Sequence, residues 1–225
     1  MPSLNKIGRH HPDMKQLSLQ PDLDAFLNEI SASNDDELVD ICCRELLHGN
    51  PYILNNDYHA YYYFRKRIAE HFEINYFDIF IVGSAKLGFS PQKRKDFDLD
   101  SDVDVAIASP TLFEAMMQYI YDFQMSIRES RKSVTASEMR KYHDFLEYVA
   151  IGWIRPDKLP SSFQIESVRK EWFEFFLSLS YGKSEIGNYK VSAGVFKSFA
   201  HLQEYNLRNL KRIRSMQQAV EVANE

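Results

Sequence analysis

The amino-acid sequence predicts an α+β fold, in which a small sheet is flanked by helices and helical segments extend both ends of the chain. Three short segments rich in β-branched and aromatic residues, 76–82, 103–107 and 189–199, are typical of strands. Longer segments with apolar residues at helical spacing separate them. The 225 residues are 44% hydrophobic and 14% aromatic, enough apolar area for the core of one large domain.

Charge, cysteine content and hydropathy exclude several classes of protein. The net charge of -5 argues against a global attraction to nucleic acid or to an anionic membrane. The only cysteines, Cys42 and Cys43, are adjacent and cannot form a disulfide framework. Residues 1–20 lack the apolar segment of a signal peptide, and no run of 18 apolar residues occurs. We therefore expect a cytoplasmic protein that makes no membrane contact.

Residues 1–72 are predicted to form a polar arm followed by three helices that pack on the core. The first helix covers about 22–30. The second begins at the N-cap Asn34, with Glu37 three residues later as in a capping box, and ends near Gly49. Asp57 is predicted to cap the third helix, which runs to about Phe72.

Residues 73–132 are predicted to form the core. A buried strand over 76–82 ends at Gly83, and the segment 83–88 is expected to open a short helix. The second strand follows an acidic stretch and continues through Ile107. Ser109, an N-cap residue before a proline, then predicts a helix to about residue 127.

Residues 133–225 are predicted to be mainly helical, with one additional strand. Helices are expected over about 137–151, 163–179 and 200–222, and the strand over 189–199. The basic cluster of the last helix, 208–214, is interpreted as a solvated helix face rather than as an RNA site.

Two carboxylates on the second strand are the strongest chemical signal. Residues two apart on a strand point to the same side, so Asp102 and Asp104 project from one face. Carboxylates this close repel each other, and a divalent cation such as Mg²⁺ or Mn²⁺ between them removes the repulsion. We therefore predict that Asp102 and Asp104 bind a metal ion and are catalytic.

A turn after the first strand completes the predicted site. A strand that ends in Gly83 and Ser84 and turns into a helix offers free backbone N–H groups to a phosphate. Gly83 allows close approach, Ser84 adds a hydroxyl donor and Lys86 adds positive charge. We predict that Gly83, Ser84 and Lys86 bind the phosphates of a nucleotide.

This combination of motifs resembles the signature of the nucleotidyltransferase superfamily with the DNA polymerase beta fold. The matching residues are Val82-Gly83-Ser84 and Asp102-Val103-Asp104-Val105. The resemblance implies a polymerase-beta-like core and Mg²⁺-dependent transfer of an NMP from an NTP to a hydroxyl of an RNA end, a nucleotide or a protein. Stand-alone chains of this kind resemble bacterial nucleotidyltransferases of toxin–antitoxin and phage-defence loci, which implies a partner protein encoded at the same locus.

One departure from the family pattern leaves two alternatives open. The family normally has a third carboxylate on a later strand, but the segment 189–196 has no acidic residue. Either Asp100 or Glu185 supplies the acid from a loop, which favours an active enzyme. Alternatively, Lys190 pairs with one carboxylate, which favours a catalytically inert member that binds a nucleotide or a partner protein.

Overall fold

The computed structural model describes residues 22–55, 57–131, 133–159 and 166–223. The predicted arm up to residue 20 and the start of the helix predicted at 163 lie outside these residues. The α-helices of the described part are α1 (Leu23–Ala32), α2 (Asp35–Ile41), α3 (Tyr58–Phe72), α4 (Ser84–Leu87), α5 (Pro110–Arg128), α6 (Ala136–Ala150), α7 (Glu166–Leu179) and α8 (Phe199–Ala223). The strands are β1 (Ile79–Val82), β2 (Phe89–Ser90), β3 (Lys95–Asp96), β4 (Val103–Ala108), β5 (Trp153–Ile154) and β6 (Val191–Phe196).

A mixed four-stranded sheet in the order β1-β4-β6-β5 forms the centre of the protein. Strand β4 pairs antiparallel with β1 and parallel with β6, and β5 pairs antiparallel with β6. Strands β2 and β3 form a separate antiparallel pair. The prediction of an α+β fold with a small mixed sheet is therefore confirmed.

Helix starts agree with the sequence signals because the capping side chains form the expected hydrogen bonds. Asn34 Oδ1 accepts from the backbone N–H groups of Asp36 and Glu37 at 2.9 and 3.0 Å, and Glu37 Oε2 accepts from the Asn34 N–H at 2.8 Å. Asp57 Oδ1 accepts from the Ala60 N–H at 2.9 Å. Ser109 caps α5 in the same way, at 3.3 Å from the Leu112 nitrogen.

Three features differ from the expectations. The first strand is shorter than predicted because 76–78 forms a 3₁₀ turn, which Asn75 caps by accepting from the Phe77 N–H at 2.9 Å. Helix α2 continues into a π-helix over 42–47 rather than as one α-helix. Strands β2, β3 and β5 were not predicted, since two residues are too few for a periodic pattern.

The sheet buries one face in the main core and leaves part of the other face for the candidate site. One face of β1 and β4 contributes five side chains to the main core: Ile79, Ile81, Val103, Val105 and Ile107. Helices α3, α5, α6 and α7 contribute side chains to the same core. On the opposite face, α8 covers the end of the sheet, in a small cluster that contains Ala106, Ala108, Phe196 and Leu202.

Segments distant in the sequence contribute to the same sheet and the same packing. Strands β5 and β6 come from 133–225, the segment predicted to be mainly helical, and complete the sheet that β1 and β4 begin. Helix α8 also packs against α1, where Leu210 and Ile213 meet Phe26, Leu27 and Ile30. In the part of the chain that the structure describes, no helix combines the length and the apolar character needed to cross a bilayer.

Candidate functional site

The two predicted carboxylates lie side by side at the start of β4, on the face opposite the main core. Asp104 is the second residue of β4, between the buried Val103 and Val105, and Asp102 directly precedes the strand. Across the sheet, Asp104 pairs with Val82 of β1 on one side and with Ser192 of β6 on the other. The alternation of side chains along this part of the chain therefore places Asp102 and Asp104, the dyad, on one face of the sheet, as the sequence predicted.

Each carboxylate accepts one hydrogen bond from a side chain of β6 or of the residue before it. Lys190 Nζ lies 2.9 Å from Asp102 Oδ2, and Ser192 Oγ donates to Asp104 Oδ1 at 2.8 Å. The parallel register explains both contacts, because the Val103 N–H donates to the Lys190 carbonyl at 2.8 Å. One oxygen of each carboxylate remains without a hydrogen bond from the described residues.

Neighbouring groups shift the ionisation of this cluster in opposite directions. The side chain of Asp104 reaches solvent, but surrounding protein atoms desolvate its carboxyl and raise its pKa. The hydrogen bond from Ser192 lowers the pKa of Asp104, and the charge of Asp102 raises it further. The hydrogen bond to Asp102 raises the pKa of Lys190. Lys190 therefore stays protonated, and its ammonium forms an ion pair with Asp102.

The turn at Gly83 and Ser84 lies next to Asp104. Gly83 ends β1 and adopts φ 66° and ψ -145°, a conformation essentially restricted to glycine, and the half-buried Ser84 begins α4. A Cβ atom added to Gly83 would lie 3.6 Å from Asp104 Oδ2. The turn and the dyad are thus adjacent, as a joint site for phosphate and metal requires.

We predict that Gly83→Ala destabilises the fold even though the space around Gly83 is open enough for a methyl group. The cost is about 1–3 kcal/mol, since a non-glycine residue is strained at this φ and ψ. Urea unfolding measures it, and Gly182→Ala, at φ 77° in a turn after α7 and away from the site, is strained for the same reason and should also lose stability. Equal stability of Gly83→Ala and the wild type would contradict the proposed strain.

Lys86 contacts the protein backbone and is 8% exposed. Its ammonium donates to the carbonyls of His48, Gly49 and Asn50, with distances of 3.3 Å to Gly49 and 3.1 Å to Asn50. These three acceptors use all three of its protons. Burial lowers the pKa of Lys86 to about 8, against the smaller effect of the Glu45 charge, which raises it. In this structure Lys86 ties α4 to the end of the π-helix, and its predicted contact with phosphate stays a prediction.

Removing the Lys86 ammonium should lower stability. Lys86→Met keeps an apolar side chain of similar length but leaves three carbonyls without their donor, and we expect a loss of about 2–4 kcal/mol in the free energy of unfolding. Chemical denaturation measures it, and Lys197→Met, at an exposed lysine, is the control. If Lys86→Met is as stable as Lys197→Met, the three hydrogen bonds contribute no net stability.

Neither candidate for a third carboxylate joins the dyad. Glu185 Oε2 lies 3.6 Å from Arg67 Nη1, and Asp100 lies in an exposed turn where its N–H donates to Asp98 Oδ1 at 3.2 Å. Within 22–55, 57–131, 133–159 and 166–223, no group of three or more His, Cys, Asp or Glu side chains is placed to bind a metal ion. Carboxylate oxygens are ligands that Mg²⁺ prefers, and the predicted binding of a cation by Asp102 and Asp104 stays a prediction.

Two residues on the same face of the sheet as Asp104 were not predicted from the sequence to belong to the site. Ser192 belongs to the segment 189–196, which the sequence distinguishes only by its lack of acidic residues, yet it hydrogen-bonds Asp104. Arg155 follows β5, and its positive charge lowers the pKa of Asp104 against the larger effect of burial. No local motif marks either residue, because each reaches the dyad only through the pairing of β5, β6 and β4.

Comparisons with known proteins add no family to this description. No protein-family model, no curated protein and no solved structure matches the chain. The polymerase-beta-like core predicted from Val82-Gly83-Ser84 and from the dyad therefore stays a prediction, and the function is argued from the site itself.

Proposed function

We propose that this protein is a Mg²⁺-dependent nucleotidyltransferase, which transfers an NMP from an NTP to a hydroxyl acceptor. One observation carries the proposal: Gly83, at the turn after β1, is adjacent to Asp104 of β4, so that a Cβ atom at this position would lie 3.6 Å from Asp104 Oδ2. A phosphate-binding turn beside an aspartate pair is the arrangement that metal-assisted phosphoryl chemistry requires.

The proposed roles follow from the positions of the side chains. Asp102 and Asp104 would hold the cation, which when bound polarises the phosphate and neutralises its charge. The backbone N–H groups after Gly83 and the Ser84 hydroxyl would bind the phosphates of the NTP. Lys190 and Arg155 add positive charge on the same face. The α-phosphorus is then held for in-line attack by the acceptor hydroxyl, and pyrophosphate leaves.

The nature of the acceptor and the biological setting rest on the resemblance alone. We propose an RNA end, a nucleotide or a protein side chain as the acceptor, a cytoplasmic location, and a role in bacterial phage defence or in a toxin–antitoxin pair with a protein from the same locus. The negative net charge of the chain favours a protein or small-molecule acceptor over long RNA, since the overall charge repels nucleic acid.

A transfer assay tests the proposal. The full chain is incubated with Mg²⁺ or Mn²⁺ and each of four α-labelled NTPs, alone, with RNA and with cell extract. Label in RNA, nucleotide or protein, together with stoichiometric pyrophosphate and its loss in EDTA, is the expected result. Absence of both label transfer and pyrophosphate release with every acceptor contradicts the proposed activity.

A second candidate function is a catalytically inert relative that binds a nucleotide or a partner protein. The ion pair between Lys190 and Asp102 at 2.9 Å favours it, since the ammonium stands where a cation would bind Asp102. The lack of an acidic residue in the segment 189–196 motivates the same candidate. Nucleotide binding without transfer, and without dependence on divalent cation, is the result that this candidate predicts.

A further inference from the structure

Arg155 presents its guanidinium on the same face of the sheet as the dyad. In the antiparallel pair of β5 and β6, Trp153 lies opposite Phe196 and Ile154 opposite Val195. The next residue along, Arg155, has an extended backbone, and continuing the same register by one residue places it opposite Gly194. Because alternate residues share a face, Arg155 lies on the side of Gly194 and Ser192, where Ser192 donates to Asp104.

An aromatic platform holds the Arg155 guanidinium. Its Cζ lies 4.8 Å from the centroid of the Trp153 ring and 5.5 Å from that of Tyr148. The Trp153 ring is itself stacked on Phe196, with centroids 5.2 Å apart and planes within 7°. A Cβ atom on Gly194 would lie 2.5 Å from Trp153 Nε1. The indole can therefore pack over this position only because residue 194 has no side chain.

A bidentate ion pair fixes the orientation of the guanidinium and leaves donors unused. Arg155 Nε and Nη2 donate to Asp157 Oδ1 and Oδ2 at 3.2 and 2.7 Å. An arginine has five N–H donors, so three remain for a ligand. Only 29% of the Arg155 side chain is exposed, which means that little conformational entropy is left to lose on binding.

Arg155 shares the face of the dyad without a hydrogen bond to Asp104. Among the described residues, the hydrogen bonds of its guanidinium go to Asp157. A cation held close to a carboxylate but not bonded to it leaves room for an anionic group that bonds to both the arginine and a metal ion. Planar guanidinium groups match the oxygens of a phosphate in this way.

We infer that Arg155 binds a phosphate of the nucleotide substrate, held for that purpose by Trp153 and Asp157. The inference rests on the proposed function, because it assigns a polyphosphate ligand to the same site. It adds a phosphate-binding residue that follows β5, on the opposite side of the dyad from Gly83. The polyphosphate would then be bound by the Gly83 turn on one side of the dyad and by Arg155 on the other.

Calorimetry with three variants tests the inference. The ligands are inorganic tripolyphosphate and an ATP analogue with a methylene group between the α- and β-phosphorus atoms, each with Mg²⁺. We expect Arg155→Gln to weaken both ligands by the same factor, about 10- to 100-fold, since it removes a charge-assisted hydrogen bond. Gly194→Ala, which displaces Trp153, should weaken both to a smaller extent. Arg208→Gln, at an exposed arginine paired with Glu204 at 2.7 Å, should leave both unchanged.

The outcomes separate this inference from the proposed function. If Arg155→Gln binds both ligands within twofold of the wild type, the inference is overturned and the proposed function stands. If the wild type binds neither ligand, both are overturned. A loss confined to the ATP analogue also overturns it, because a phosphate contact must affect tripolyphosphate. Circular dichroism confirms that Arg155→Gln is folded, so a general loss of structure cannot be mistaken for a lost contact.

Discussion

We expect Asp104→Asn to abolish the proposed nucleotidyl transfer while the protein stays folded. The substitution preserves the shape of the side chain and an acceptor for Ser192 Oγ, but it removes the negative charge that would hold the cation. Metal ions contribute several kcal/mol to such reactions, so we expect a fall of about a thousandfold or more in kcat, measured as labelled product per enzyme.

The thermal stability of Asp104→Asn should equal or exceed that of the wild type without metal. Desolvation and the Asp102 charge both disfavour the ionised Asp104, and the substitution relieves them. Asp96→Asn is the matched control, since Asp96 is an exposed acid in the same acidic stretch but lies on β3. Full activity in Asp104→Asn, with normal metal dependence, would show that the metal assignment is wrong.

Lys190→Glu should increase the affinity of the site for a divalent cation. The change replaces the ammonium paired with Asp102 by a third carboxylate beside the two already present. Nearby unit charges shift ionisation equilibria by about one to three pK units, so we expect binding of Mn²⁺ to tighten by about tenfold or more. Titration of Mn²⁺ into the protein without nucleotide, followed by electron paramagnetic resonance of free Mn²⁺, measures it.

Two further variants make the Lys190 result specific. Lys190→Met removes the ion pair without adding a ligand and should give a smaller increase, while Lys197→Glu adds an acid one residue beyond β6 and should give none. Equal Mn²⁺ affinity in Lys190→Glu and Lys197→Glu rules out a cation site at the dyad. Transfer that appears only in Lys190→Glu supports an inert wild type, whereas transfer already present in the wild type supports the enzyme.

Local signals in the sequence were sufficient to predict most of the elements and the shared face of the two aspartates. Capping residues such as Asn34 and Asp57 act within three residues of their own position, so their effect is visible without tertiary structure. The alternation Asp102-Val103-Asp104-Val105 likewise fixes which side chains share a face of β4.

Tertiary structure decided what surrounds those carboxylates. Lys86 carries a charge that suits a phosphate, but its ammonium lies among three carbonyls of the 48–50 loop, a contact across more than thirty residues that no local pattern indicates. Arg155 follows a strand of only two residues, too short for any periodicity, and its place beside the dyad depends on the pairing of β5 with β6.

The sequence by itself determined that two aspartates share one face of a strand and that a glycine-serine turn ends another, because both follow from backbone geometry over a few residues. Only the tertiary structure decided that Lys190 lies 2.9 Å from Asp102 and that Ser192 donates to Asp104. The physical reason is register: a shift of one residue in the pairing of β4 with β6 would turn both side chains to the other face, and packing of the whole sheet sets that register.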